Sequence, residues 1–396
     1  MSTETADVVI VGGGLEGSSA AYALSQLGIT DVVIVERGTV GSGMTAKSSG
    51  IVRCHYGVPS LAAMATDSLD TFENAEEIFG ADIGFRQIGY VVGVGSPNVE
   101  PFRASLAAQQ AVGVLTEEVD AGAVADLWPQ ADLSDFAAFA YEKRGGYGDA
   151  YMTAQAFAGG ARAAGVRLRQ QSPVVDLLVE GDRVTGVRLA DGSTISANTV
   201  VVATGAWTRG FLAPFGFDIP IRVHREEIVM VAPGADLGPV PVFSDLVSLQ
   251  YVRPEVGGDI LFGNSDLQQI EDADPDGYSN RLTETIRDIA VDKIGTRFPD
   301  LTEAAISGGY AGCYDVTPDW NPIISRMPLD GLVLAAGFSG HGFKISPAVG
   351  RLIADLVVEG RSRDPRIPER DFRFERFAEN DPLTTAFPYV GAGEMR

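Results

Sequence analysis

Val8-Val9-Ile10-Val11-Gly12-Gly13-Gly14-Leu15-Glu16-Gly17 is the stretch that decides the fold. Four β-branched residues read as a buried strand. Three glycines break it, and from Leu15 to Leu27 the apolar positions recur at helical spacing. A second strand, Val32 to Glu36, ends on an acid. Strand, glycine turn, helix and strand make a β-α-β unit, with Gly12, Gly14 and Gly17 at the G-x-G-x-x-G positions of a dinucleotide site. Gly12 permits the tight turn. Gly14 lets backbone approach a pyrophosphate, and Gly17 lets the helix pack on the strand. The helix N-terminus at Leu15 turns free N–H groups and a partial positive charge towards phosphate. Glu36, followed by Arg37, is placed to accept a ribose diol, which favours an adenosine without a 2′-phosphate.

The rest of the chain alternates in the same manner. A glycine-rich loop at 41–57 leads to a helix from Pro59 to Ile78. A strand, Gly89 to Val94, and a helix, Val99 to Ala111, precede another helix, Thr153 to Ala164. Strands are expected over Val174–Glu180, Arg183–Leu189, Thr194–Ser196 and Thr199–Ala203, with glycine turns between them. Residues 216–305 are strand-rich, with a helix from Asn280 to Arg297. A strand at Leu332–Gly337, a glycine loop and a helix from Ser346 to Val358 follow. Beyond 360, Pro, Asp and Arg dominate, which reads as a loosely packed surface extension. The expected class is α/β. A nucleotide-binding domain is assembled from 1–80, 146–215 and 306–370, an inserted antiparallel-sheet substrate domain from 81–145 and 216–305, and 371–396 form a C-terminal extension.

Composition narrows the class. The chain has 396 residues, 45% of them hydrophobic, enough for a large core. A net charge of −23 repels nucleic acid and anionic lipid, so a carboxylate substrate needs a local basic site. Two cysteines cannot build a disulfide framework, and the three histidines have no metal-ligand spacing with them. The N-terminus lacks the pattern of a signal peptide and no run of about 18 apolar residues occurs, so the expected compartment is the cytoplasm, with no membrane partner. Oligomeric state is not legible.

Four further segments, in order, resemble the D-amino acid oxidase / sarcosine oxidase / glycine oxidase family, nearest to sarcosine oxidase. Ser42-Gly43-Met44-Thr45-Ala46-Lys47-Ser48-Ser49-Gly50-Ile51-Val52-Arg53 resembles its first flavin-contacting loop. Val200-Val201-Val202-Ala203-Thr204-Gly205-Ala206-Trp207 is similar to its second nucleotide-contacting motif, and Tyr314-Asp315-Val316-Thr317-Pro318-Asp319 to its Y-x-x-T-P-D signature. Gly337-Phe338-Ser339-Gly340-His341-Gly342-Phe343-Lys344 resembles its flavin loop most closely. The resemblance implies a Rossmann-type FAD-binding domain of the glutathione-reductase-2-like kind. It assigns FAD contacts to Ser42, Thr45, Ser48, Ser49, Gly50, Val174, Thr204, Gly205, Trp207, Gly312, Gly337, Ser339, Gly340, His341, Gly342, Phe343 and Lys344. The loop is glycine-rich as backbone passing a flat ring must be, and the positive end of the following helix suits negative charge on reduced flavin.

By the same resemblance Arg53 and Lys344 grip a substrate carboxylate, one as a bidentate fork and one as a point charge. The resemblance also makes Tyr314 the wall of the pocket, and Tyr251 and Arg253, in the strand-rich insert, are candidates for its other side. The implied reaction is transfer of a hydride from the C–H beside nitrogen to flavin N5, giving an imine that water hydrolyses. The substrate is a small amine or amino acid, N-methyl amino acids foremost. No acid or base motif stands out, and none is needed if the amine binds neutral. Covalent relatives carry a cysteine where this chain has Gly312. Cys313, one step on, faces the other side of a strand, so FAD is expected to be noncovalent. The oxygen-activating lysine of the substrate domain is missing, since the only lysines are Lys47, Lys143, Lys293 and Lys344. Either Lys47 substitutes, or the electrons leave to an acceptor other than O2. Two alternatives stay open: a 2-hydroxy acid oxidoreductase using His341 or His224 as base, and a flavin subunit of a larger electron-transfer complex.

Overall fold

The computed structural model describes residues 3–266 and 271–391. Its centre is a sheet in which Thr3–Val11 pairs in parallel with Val32–Val35 on one side and with Thr194–Val202 on the other. Leu332–Ala336 extends it in parallel beyond Thr194–Val202, and Arg167–Arg169 beyond Val32–Val35. These central strands are near-continuous apolar runs because both faces are covered. On one face lie the helices Leu15–Gln26, Pro59–Glu73, Ala150–Ala163 and Gly342–Val358. The first and last of these approach closely over small residues, and the Ser19 hydroxyl donates to the Ser346 carbonyl at 2.7 Å. Gly17 is fixed by a similar closeness, since a side chain there would run into the Gly12 carbonyl oxygen.

A second sheet holds Tyr90–Val94, Ala138–Glu142, Arg222–Ala232, Val242–Asp245, Gln250–Pro254, Ile260–Asn264 and Ala305–Val316. It is antiparallel except where Val242–Asp245 pairs in parallel with Tyr90–Val94. Trp128, Phe243, Phe262, Phe298 and the helix Glu284–Arg297 pack against it. The strand Ala305–Val316 lies wholly in this sheet, so the division expected at 305/306 cuts through a paired strand.

Several expected elements change at their ends. The helix expected over Pro59–Ile78 divides at Asn74, whose side chain donates to the Asp70 carbonyl and leaves a separate turn, Ala75–Phe79. Thr194–Ser196 and Thr199–Ala203 are one strand, Thr194–Val202, held straight by its pairing with Thr3–Val11. The last long helix begins at Gly342 rather than Ser346. Pro347 sits inside it without breaking it, and the Ser346 hydroxyl donates to the Phe343 carbonyl at 2.9 Å.

The segment after 360 is not a loose extension. Arg376 and Asp319 are both essentially fully buried and pair at 2.8 Å, and the same guanidinium bonds the Asn321 carbonyl. Leu383 N–H donates to Asp319, and Val390 exchanges two hydrogen bonds with Asn98. Tyr389 is buried with its hydroxyl 3.0 Å from His55 Nε2. Of the expected extension 371–396, residues 392–396 lie outside the described residues. No helix among the described residues is long and apolar enough to cross a membrane.

Candidate active site

A cavity of about 560 Å³ runs between the two sheets. Its first end is the glycine turn. Gly12, Gly14 and Leu15 line it, and the Thr45 hydroxyl accepts the Leu15 N–H at 3.1 Å. Glu36 lies beside them, each oxygen already accepting a backbone N–H, from Gly13 at 2.8 Å and from Gly38 at 2.7 Å. A carboxylate oxygen has room for a second donor, so a ribose hydroxyl can still be received. Val174, Thr204, Gly205 and Trp207 complete this end, with the Arg37 guanidinium stacked 4.0 Å over the Trp207 ring. Arg37 is also paired with Asp276 at 2.9 Å.

The middle is walled by the 337–344 loop and the start of the Gly342–Val358 helix. Gly340, Gly342 and Phe343 line the cavity. Gly340 has a φ of +80°, and an added Cβ would sit 2.7 Å from the Tyr314 ring, so only glycine lets the loop pass that phenol. Asp315 accepts the Gly337 N–H at 2.7 Å. Burial pushes its carboxyl up to about 6, against the pull of the loop N–H groups. Glu16 also reaches this wall. Burial, with Asp315 next to it, holds its carboxyl well above the usual range.

The far end is made of side chains. Tyr314 is half-buried in the cavity wall, and Tyr251 lies across Gly263, where any side chain would occupy the space of the ring. Burial raises both phenols, and each feels Glu226. Tyr310, pushed up to about 12 by burial, approaches the Ser48 carbonyl at 3.4 Å. Lys47 lines the cavity beside Gly312, and a Cβ on Gly312 would meet the Lys47 Cβ at 2.7 Å. Its Nζ is 3.4 Å from Asn280 Oδ1. The Cys313 thiol is pushed up to about 11 by burial, so it is a protonated thiol at neutral pH.

Other expected residues stand behind these walls. Arg53 is 7% exposed, stacks 4.6 Å over Tyr56 and donates to the His55 carbonyl. The Tyr56 hydroxyl is in turn 3.2 Å from His341 Nδ1, so Arg53 and the glycine loop are joined through one ring. Lys344 is equally buried, in the first turn of the Gly342–Val358 helix. Ser48 and Ser49 line the cavity, whereas Ser42, Gly50, Gly337 and Ser339 support the backbone outside it. Ser42 closes the Thr39 turn and the Ser339 hydroxyl donates to the Gly337 carbonyl. Arg253 does not offer its fork to the cavity. It donates to the Ser49 carbonyl at 2.7 Å, pairs with Glu255 at 2.9 Å and stacks on Tyr147, which makes it a strut for the first loop.

Glu226, Asp315 and Glu16 are wall residues that sequence reasoning missed. Asp315 was inside a quoted motif. Glu226 had no local signal, since it is one of several charged residues in the first half of its strand, RVHREE.

The walls fit a long dinucleotide with a flat ring. Backbone takes the place of side chains at Gly12, Gly14 and Gly340, and two polar atoms at the wall, Trp207 Nε1 and Glu16 Oε2, are buried without a hydrogen-bond partner. Comparison with known proteins agrees. The chain is 29% identical over 368 residues to 4-methylaminobutanoate oxidase (formaldehyde-forming) of Paenarthrobacter nicotinovorans, covering 89% of this chain and 43% of that protein. It is 29% identical to sarcosine oxidase subunit beta of an Arthrobacter species, covering 94% of this chain and 91% of that one. The chain therefore spans less than half of the first relative and nearly all of the second. L-proline dehydrogenase from P. horikoshii superposes with a TM-score of 0.87 at 26% identity, covering 96% of this chain and all of that one. The model of the FAD dependent oxidoreductase family matches residues 7–356. A match of that length places the chain in the FAD dependent oxidoreductase family, and FAD is the dinucleotide for which the glycine turn is built.

Proposed function

We propose that the protein oxidises a small amine or amino acid, with N-methyl amino acids as the foremost class, at the C–H bond beside nitrogen. The product is an imine that water hydrolyses. FAD supplies the two-electron oxidation when bound. The observation that carries this reading is the far end of the cavity, where Tyr314 and Glu226 line the wall, Tyr314 packs against the glycine loop at Gly340, and Tyr251 stands next to both. Phenol faces attract an alkylammonium group. Arg53 and Lys344 are our carboxylate anchors in this reading: two cations only 7% exposed that stand behind the cavity wall and would act on a carboxylate bound against it. The names of the relatives, with their methylamino and proline substrates, support the same class.

FAD is held noncovalently in this reading. The position that bears the linking cysteine in covalent relatives is Gly312, and Lys47 already fills its side-chain space. Lys47 is then the cation available to electron transfer to O2. The hydroxy-acid alternative needs a histidine base, and among the described residues neither His224 nor His341 lines the cavity. A flavin subunit in a larger assembly is a second reading, favoured by the coverage of sarcosine oxidase subunit beta, and light scattering on the purified chain and on its native complex tests it.

Anaerobic bleaching of the yellow protein by sarcosine, N-methyl amino acids, proline, glycine and D-amino acids tests the main proposal. Bleaching by at least one amine, and not by lactate or glycolate, is expected. Bleaching by the hydroxy acids alone overturns it.

A further inference from the structure

Among the described residues Glu226 is a carboxyl lining the far end of the cavity that is paired with no cation, though Arg225 lies next to it in sequence and Lys47 lines the same wall. It lies on the strand Arg222–Ala232 directly opposite Gly312 on Ala305–Val316. Directly opposed residues of an antiparallel pair share a face. Its side chain is therefore on the cavity side, with Tyr314 two residues along the partner strand. Arg225 and Glu227 alternate to the other face and pair with each other at 2.6 Å. Among the described residues the Glu226 carboxyl makes no hydrogen bond and no ion pair.

We propose that Glu226 accepts the ammonium proton of the substrate, so that the nitrogen enters oxidation with its lone pair free. This rests on the reading of the substrate as an amine. A secondary amine arrives from neutral water as the cation R₂NH₂⁺, and a protonated nitrogen cannot support loss of hydride from the neighbouring carbon. In the proposed step one N–H bond breaks and one O–H bond forms on Glu226. The freed lone pair becomes the second C–N bond as the C–H electron pair departs to the two-electron acceptor, FAD. The proton on Glu226 then leaves to solvent.

The surroundings suit that role. Burial and the nearby Glu227 push the carboxyl up to about 8, with Arg225 pulling the other way. A base with that affinity for protons accepts one readily and still releases it near neutral pH. The facing groups are Tyr251 and Tyr314, whose phenols are both held above their ordinary range, with Cys313 and Lys47 at the cavity wall. Neither phenol nor the thiol ionises near 8, but Glu16 and Asp315 are raised carboxyls on the same cavity wall, so a titration there is assigned to Glu226 by its loss in Glu226→Gln.

The test uses the FAD-loaded protein and two unreactive probes of similar shape, trimethylammonioacetate and 3,3-dimethylbutanoate. Binding is followed by perturbation of the flavin spectrum from one pH unit below 8 to one above. Trimethylammonioacetate, with its quaternary ammonium head, should tighten on the order of tenfold as Glu226 ionises. In Glu226→Gln this dependence should vanish, while 3,3-dimethylbutanoate, an anion whose head is uncharged, should not tighten in either protein. Anaerobic stopped-flow bleaching by sarcosine should show a matching loss of the ionisation in Glu226→Gln and its return in Glu226→Asp. An unchanged flavin spectrum and melting temperature confirm that each variant is folded. Identical pH profiles in wild type and Glu226→Gln overturn the role of Glu226 and leave the amine reading standing. If neither probe perturbs the wild-type flavin, the carboxylate-amine reading falls and the inference with it.

Discussion

The two ends of the cavity are made of different material. At the dinucleotide end the contacts are backbone, shaped by the glycine turn and supported by Thr45 and Glu36. At the far end they are side chains: Tyr314, Glu226 and Lys47, with Tyr251 packed behind Tyr314. A site made of backbone admits few sequences, because each close approach excludes every residue with a Cβ. A site made of side chains on a paired sheet can be rewritten without moving the strands. The first end therefore fixes which cofactor binds, and the second is the part of the site that would set the substrate.

Gly17→Ala gives the largest expected effect, because the new methyl collides with the Gly12 carbonyl where helix and strand meet. Purified protein should carry almost no flavin by absorbance, and a normal flavin content would remove the backbone account of the first end. Lys47→Met should be milder, since Lys47 belongs to the side-chain end. Loss of one preorganised cation should slow reoxidation of the reduced enzyme by O2 about tenfold or more, with flavin content intact. An unchanged stopped-flow rate constant for O2 rules Lys47 out as the oxygen-activating charge.

The smallest effect is on stability. Asp315, Glu142 and Glu226 are raised by burial, to about 6, about 7 and about 8. Raised carboxyls bind more protons folded than unfolded, so their contribution is complete at low pH and is lost as pH rises through these values. His224 is lowered from 6.5 by burial and acts in the opposite sense below that value. The melting temperature should therefore fall between about pH 6.5 and about pH 8, and fall less in Glu226→Gln. A flat or rising curve would show that these carboxyls are not buried as described.

The dinucleotide end was legible because its residues are adjacent in sequence and only glycine satisfies them. The order of the four family-like segments gave the layout of the FAD cavity as well. The limits are equally specific. The helix expected from Ser346 begins at Gly342, which moves its N-terminus onto the glycine loop. The pairing of Asp319 with Arg376 lies in no pattern, so the tail read as loose when it is anchored. Glu226 was silent because its placement depends on register with Gly312, which is a property of the folded sheet. Arg253 was assigned by position in a strand, but its donors are taken by Ser49, Pro254 and Glu255.

The central parallel strands carry a kinetic consequence. Val8 pairs with Thr199, and Val200 with Leu332, so the sheet floor closes only after very long loops have been brought together. Such non-local pairing slows folding, because the entropy of loop closure is lost before the contacts form. The cavity is bordered by all of these segments, so FAD can meet its full set of contacts only on a chain whose sheet is complete. Flavin binding is then a late event that withdraws finished molecules from the unfolding equilibrium by mass action. Scarcity of the cofactor should therefore lower the lifetime of the protein as well as its turnover.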